Sequence, residues 1–294
     1  MTISKTGYQS GIPDSNFIVA FIRQALQEDV GTGDHTSLSA IPEHAIQTAR
    51  LLVKDEGVLA GVELAVLIFK EVDPKLTLNI SLNDGDIVKK GDVAFTVTGP
   101  ARSITIAERL VLNCMQRMSG IATRTWMMVQ LVKGLPAKIV DTRKTTPLFR
   151  YFEKWAVRIG GGHNHRYALY DMILIKDNHV DYAGGTIAAI DAARKYREEK
   201  KLNLKIEIEV RNFKELDEVL NHGGIDRIML DNFSTTDLHL AVEKINKRFI
   251  SEASGGITPE TVRAYAETGV DEISVGALTH SIKSLDLSLK AVKA

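Results

Sequence analysis

The second half of this chain is divided by short apolar runs that stop at Asp141, Lys176, Glu209, Asp231, Ser254 and Gly276. The last four stops lie about 22 residues apart, room for one strand, one helix and two loops. Repeated units of that length predict a parallel sheet with crossover helices. All but the last two runs stop in a charged side chain, which a buried strand tolerates only where opposite charge meets it. In a closed β/α barrel the strand C-termini converge on one mouth, so a barrel of about six parallel strands accommodates this charge better than an open sheet.

The first part reads as α+β. Residues 16–28 have helical spacing in Phe17, Ile18, Phe21, Ile22 and Leu26, and Val62–Val72 is a second helix. Strand-like pieces lie around Ala49–Val53 and Leu76–Leu82. Asn83-Asp84-Gly85-Asp86 and Lys89-Lys90-Gly91-Asp92 are turn signals. They resemble the paired turns of lipoyl carrier domains, but no modifiable lysine in the required context accompanies them, so we take them as structural turns. A long helix from about Ser103 to Lys133 carries the stripe Ile104, Ala107, Leu110, Val111, Cys114, Met118 and Ile121. The expected organisation is an α/β chain. An open-sandwich α+β domain spans 1–116 and the barrel 117–294, with the C-terminal tail packing back on the first domain.

Charge balances at 37 basic and 37 acidic residues, which disfavours a broad nucleic-acid-binding face. The single cysteine, Cys114, rules out an internal disulfide and reads as a small core residue. The N-terminal segment MTISKTGYQSGIPDS has no apolar signal core, and no apolar run reaches membrane-spanning length. A soluble cytoplasmic protein is expected.

Within residues 141–180, Arg143, Lys144, Arg158, Arg166 and Lys176 gather beside short apolar runs and predict a pocket for a small polyanion. In KIEIEV, strand alternation points Glu207 and Glu209 to one face and Ile206, Ile208 and Val210 to the other. With Asp231 on the neighbouring strand, these acids could hold Mg²⁺ or sugar hydroxyls, or simply neutralise nearby cations. Ser254-Gly255-Gly256 precedes Thr258-Pro259, read as a helix cap with proline at the first helical position. Val275-Gly276-Ala277 forms a second glycine turn. Together they suit a phosphate, although ordinary strand-to-helix connections use such turns too. His163 and His165, two apart with no cysteine nearby, make no zinc signature.

These segments also carry a resemblance. GTGDHTS, AERLVLNCMQRMSGIATRT, DTRKTTP, EKWAVRIGGGHNHR, LIKDNH, IEIEV, MLDNFS, EASGGI and SVGALTHS occur in the order found in the quinolinate phosphoribosyltransferases. That family is also called the carboxylating nicotinate-nucleotide pyrophosphorylases. The resemblance covers nearly the whole chain. Two departures are small: TTPLFR lacks the glycine often found after the proline, and Trp155 replaces a more usual tyrosine.

The resemblance implies phosphoribosyl transfer from phosphoribosyl pyrophosphate to quinolinate with decarboxylation, in de novo NAD biosynthesis, using Mg²⁺ and no organic cofactor. Arg143, Arg166 and Lys176, with His165 close by, would grip quinolinate, whose two adjacent carboxylates suit guanidinium groups, and Thr142 would be a further substrate-binding residue. Lys144 would meet the pyrophosphate or the ring substrate, and Glu209 and Asp231 the ribose and metal. Ser254, Gly255, Gly256, Val275, Gly276 and Ala277 would take the 5-phosphate. Lys144, Lys176, Glu209 and Asp231 are the expected catalytic residues. Arg109 falls off the apolar stripe and by itself reads as a solvated arginine. The resemblance instead sends it into a neighbouring subunit's site, making the unit a homodimer or a hexamer built as a trimer of dimers. Rival readings are a Schiff-base aldolase using Lys176, a silent assembly homologue, and a barrel relative tied to molybdenum transport that lacks HNHR and LIKDNH.

Overall fold

A computed structural model describes residues 15–292. The N-terminal segment read for a signal core therefore lies, apart from Ser15, outside the described residues. In chain order the elements begin with α1 (Ser15–Val30), α2 (His35–Ala40), β1 (Ile46–Val53), β2 (Gly57–Val58) and α3 (Val62–Val72). They continue with β3 (Thr77–Ile80), β4 (Ile87–Val88), β5 (Val93–Pro100), α4 (Ala101–Leu131), β6 (Lys138–Val140) and α5 (Arg150–Ile159). Then come β7 (Ile173–Ile175), α6 (Asp177–Ala183), α7 (Thr186–Glu199), β8 (Ile206–Val210), α8 (Phe213–His222), β9 (Arg227–Asp231) and α9 (Thr235–Ile245). The chain ends with β10 (Ile250–Ser254), α10 (Val262–Glu267), β11 (Glu272–Ser274), α11 (Ala277–His280) and β12 (Leu287–Ala291).

Two compact units result. Among the described residues, one gathers 15–126, 146–161 and 281–292, and the other 127–145 and 162–280. The boundary read at 116/117 lies inside α4, which runs unbroken because its stripe stays buried and no proline interrupts it. Mid-helix Gly120 is there for space: a Cβ would lie 2.3 Å from the carbonyl oxygen of Lys283. Burial pushes the Cys114 thiol up to about 12, so it is an inert core residue.

In the first unit an antiparallel sheet has the order β12-β1-β5-β3, so residues 287–291 return to the sheet built from the N-terminal part. The NDGD turn has a specific use. Helix α3 starts at Gly61, which has no side chain to cap it, and Asp84 supplies the acceptor for Val62 N–H at 2.8 Å and Glu63 N–H at 3.2 Å.

In the second unit six parallel strands have the order β6-β11-β10-β9-β8-β7. No backbone ladder joins β6 to β7 among the described residues. Residues after α5 run beside β6 instead, with His163 N–H donating to Ile139 O at 2.8 Å and Asp141 N–H donating to His163 O at 3.1 Å. In a flat sheet this segment would lie five strand spacings, about 24 Å, from β8. Yet Nε2 of His165 is 3.0 Å from a carboxylate oxygen of Glu207 on β8. The sheet is therefore rolled around a common interior, as a β/α barrel requires. Asn212 and Ser234 cap α8 and α9 through Glu215 N–H and Asp237 N–H.

One local expectation fails. α10 begins at Val262, not after Thr258. Residues 258–261 form a turn in which Thr258 O accepts from Thr261 and Val262, leaving Pro259 ahead of the helix. No helix among the described residues is long and apolar enough to cross a membrane.

Two predictions follow from local chemistry. Leu148, at the position that lacks the usual glycine, has φ +61° and a side chain 79% exposed. Left-handed backbone costs a branched residue roughly 1–2 kcal/mol, partly offset by glycine's greater unfolded freedom. Leu148→Gly should stabilise the protein by about 0.5–1 kcal/mol in urea melts, and a loss of stability would contradict the strain. Asp271 accepts both the N–H (2.9 Å) and the hydroxyl (2.7 Å) of Ser251 and pairs with Lys247. Burial pushes its pKa up, but those bonds outweigh it and hold the pKa below the ordinary 3.8. A depressed carboxylate adds stability above its unfolded pKa and loses it as pH falls through the folded one. Asp271→Asn should therefore cost more stability at pH 7 than at about pH 2.5, and equal losses at both would exclude this role.

Candidate active site

The strand ends of the second unit enclose a cavity of about 910 Å³. Its lining holds Thr142, Arg143 and Lys144 after β6, and His165 and Arg166 from the segment beside β6. Lys176 after β7, Glu209 of β8 and Asp231 of β9 form further wall. Ser254, Gly255 and Gly256 close one side and Val275, Gly276 and Ala277 another. Every residue the resemblance assigned to substrate or metal thus faces one space, apart from Arg109, whereas Glu207, read from strand alternation as a further metal or sugar ligand, does not line it. Arg109 is exposed on α4 in the other unit and does not line it.

Local chemistry explains how each group is held. Asp141 is fully buried beyond the end of β6 and accepts from His165 N–H at 2.9 Å and from the Asn164 side chain at 2.5 Å. It anchors the HNHR segment. Lys176 ends β7 because His179, three residues on, accepts its backbone N–H through Nδ1 at 2.9 Å and so opens α6. The histidine of LIKDNH is thus a cap. Lys144 is tied by its carbonyl, which accepts from the Thr279 hydroxyl at 2.8 Å, and by its N–H, which donates to the Thr142 hydroxyl at 3.0 Å.

The glycine turns bring backbone close to the cavity. Gly255 has φ +106°, and a Cβ there would lie 2.1 Å from Oδ1 of Asn232. Only glycine fits. Asn232 itself has φ +56°, a conformation asparagine tolerates, and its amide donates to Asp231 at 2.7 Å. A Cβ on Gly276 would lie 2.9 Å from the Lys144 side chain.

The electrostatics divide the cavity. Burial and the neighbouring charge of Arg143 lower the pKa of Arg166, so these two cations oppose each other. Across the cavity, burial and the charge of Glu209 raise the pKa of Asp231. One wall calls for an anion and the other for a cation or hydroxyl donors. The Lys176 ammonium donates to Glu209 between them. An electrophilic sugar carrying phosphates, beside a small polyacid, matches this division.

The sequence reading placed Arg158 with this cationic group, and the structure corrects it. Arg158 lies on α5, which belongs to the other unit, because residues 146–161 leave the barrel after Thr145. Conversely, the reading missed Glu252, Asn232, Asp177, Thr258, Ser274 and His280, all of which line the cavity. A signal existed for Glu252. It stands two residues before Ser254 on β10, as Glu207 stands two before Glu209, so the same alternation puts it inside.

Comparisons with known proteins agree with this geometry. The model of the quinolinate phosphoribosyl transferase N-terminal domain matches residues 34–119, and that of the C-terminal domain matches residues 121–290. A Nicotiana tabacum protein named quinolinate phosphoribosyltransferase (decarboxylating) 1b is 49% identical over 284 residues, covering 92% of this chain and 81% of its own length. An Arabidopsis thaliana chloroplastic nicotinate-nucleotide pyrophosphorylase (carboxylating) is 47% identical over 286 residues, covering 92% and 82%. Among solved structures, the nicotinate-nucleotide pyrophosphorylase of Francisella tularensis superposes with a TM-score of 0.89 at 38% identity, covering 98% of this chain and all of that one. With both domain models matched in order and such identity over most of its length, the chain belongs to the quinolinate phosphoribosyltransferase family.

Proposed function

We propose that this protein transfers the phosphoribosyl group of phosphoribosyl pyrophosphate to the ring nitrogen of quinolinate, with loss of pyrophosphate and carbon dioxide, giving nicotinate mononucleotide for NAD biosynthesis. The observation that carries this reading is the divided cavity. Arg143, Lys144 and Arg166 stand on an anion-seeking wall, and Glu209 and Asp231 on an opposing acidic one.

Arg143 and Arg166 would hold the two ring carboxylates bidentately, with Lys176 nearby, and so orient the ring nitrogen toward the sugar. As the bond from the anomeric carbon to pyrophosphate breaks, its electron pair leaves with the pyrophosphate and positive charge develops on the ribose. Glu209 and Asp231 stabilise that charge, while Lys144 receives the departing anion. The nitrogen lone pair then bonds the anomeric carbon. In the quaternised ring, the adjacent carbon keeps the electron pair when its carboxylate leaves as carbon dioxide, and a proton replaces it. The glycine turns at 254–256 and 275–277 present backbone N–H groups to the 5-phosphate. The helices that follow are short, so the turns rather than helix dipoles carry that role.

The donor set also fits Mg²⁺. Glu209 and Asp231 offer hard oxygens. Burial and mutual repulsion raise the pKa of Asp231, and a nearby cation would relieve that repulsion. These two carboxylates would hold the ion, which would neutralise charge on the leaving group. We further propose a homodimer, and its assembly into larger oligomers, in which Arg109 serves the neighbouring subunit. Its exposure on α4, in the unit that does not hold the cavity, supports this. Balanced charge and one buried thiol support a reducing, cytoplasmic setting.

The deciding experiment supplies purified protein with phosphoribosyl pyrophosphate, Mg²⁺ and either quinolinate or nicotinate, and follows pyrophosphate and carbon dioxide. Both products should appear with quinolinate, and turnover of nicotinate alone would overturn the substrate. A Schiff base at Lys176 is disfavoured because its amine is already an ammonium donor to Glu209. Borohydride should therefore trap no adduct. For the shared site, Arg109→Ala and Arg166→Ala should each lose about 10- to 150-fold in kcat/KM, the effect of removing one charged contact. Mixed dimers of the two should regain part of the activity, and no recovery on mixing would reject sharing.

A further inference from the structure

The barrel interior holds a layer of charge in which His165 and Glu252 reach the cavity, while Glu207, Arg227 and Glu272 do not line it and have no part in the proposed chemistry. Arg227, at the start of β9, stands among Glu207 of β8 at 3.4 Å, Glu252 of β10 at 2.9 Å and Glu272 of β11 at 2.5 Å. His165 approaches from the segment beside β6, its side chain 7% exposed. Its Nε2 lies 3.0 Å from Glu207 and 3.1 Å from Glu252. Its Nδ1 accepts the N–H of Arg166 at 2.7 Å, and the Arg166 guanidinium is steadied by the carbonyl of Met172 at 3.2 Å.

Buried ion pairs of this kind are weak contributors to stability, because desolvation offsets their attraction. The fold alone does not call for them, so a positional use is the better account. His165, Glu207 and Glu252 also bring three possible metal-ligand atoms within 4.8 Å of one another, but Arg227 already supplies the cation among those acids.

We propose that Glu252 is a positioning residue for the ring substrate. By accepting the Nε2 proton of His165, it fixes that ring's tautomer and orientation, and through Nδ1 it fixes the Arg166 main chain and guanidinium. The proposal rests on reading the cavity as a quinolinate site. A ring whose Nδ1 accepts a hydrogen bond carries its proton on Nε2, which lies 3.0 Å from Glu207 and 3.1 Å from Glu252. Burial disfavours a second proton on the ring and the two carboxylates favour it, while the Arg166 N–H that faces Nδ1 leaves no room for it there. Geometry decides for the Nε2–H form, since a proton on Nδ1 would meet that N–H at 2.7 Å. Glu252 is the informative position because Glu207 shares its strand and face with Glu209.

Steady-state kinetics of Glu252→Gln should show the KM for quinolinate raised about tenfold, with kcat and the KM for phosphoribosyl pyrophosphate within about twofold. In a His165→Asn background, whose amide falls short of Glu252, adding Glu252→Gln should leave the quinolinate KM unchanged. Additive effects, or equal rises in both KM values, would show a merely structural role and overturn the proposal. A direct measurement covers the case where these variants fold poorly or quinolinate is not the substrate. Long-range ¹⁵N spectra of the unaltered protein labelled at histidine should show, at pH 7, a ring with Nε2 protonated and Nδ1 bare that is lost in His165→Asn. A proton on Nδ1 of that ring would reject the proposal, whatever the assay with quinolinate gives.

Discussion

One guanidinium gathers the interior charge of this barrel. Arg227 enters the barrel interior at the base of β9 and meets acids from β8, β10 and β11, so four adjacent strands share one buried cation. Removing a single partner from such a group leaves an uncompensated buried charge, typically far more costly than the pair was worth. Glu207 responds to that pressure. Burial raises its pKa and the nearby Glu252 raises it further, while His165 and Arg227 pull it back. For Glu252, burial also acts upward, but His165 and Arg227 prevail and its pKa falls. Two neighbouring acids thus take opposite directions because Glu252 keeps the stronger share of the contacts with His165 and Arg227.

That layer is joined to the mouth by strand geometry. A step of two residues along a strand keeps the same face and advances about 7 Å. Glu207 leads in this way to Glu209, and Glu252 to Ser254, so each strand places one polar group in the interior and the next at the cavity. Ile206, Ile208 and Val210 take the other face and are fully buried. Alternation therefore serves packing and chemistry at once.

This is also why so much was legible in the sequence. Period-two alternation exposed Glu207 and Glu209, the spacing of strand stops gave the parallel sheet, and the apolar stripe gave α4. Parts that depend on long-range packing were not legible. Arg158 is only a few residues from the HNHR segment, yet α5 packs with Phe17 and Phe21 of α1 through Tyr151 and Phe152, and that aromatic contact decides its unit. Pro259 looked like a first helical residue, but Thr258 closes a separate turn ahead of α10. Asp141 and His179 serve as anchors, a use that could not be read in advance, because a sequence shows which groups are polar and not which backbone N–H will claim them.

The pairing of Lys176 with Glu209 has one more consequence. Neither side chain waits idle at the cavity wall, so a visitor that engages the ammonium must first compete with a carboxylate already seated there. A molecule without negative charge brings nothing to trade, whereas a carboxylate or phosphate would offer the ammonium a replacement partner.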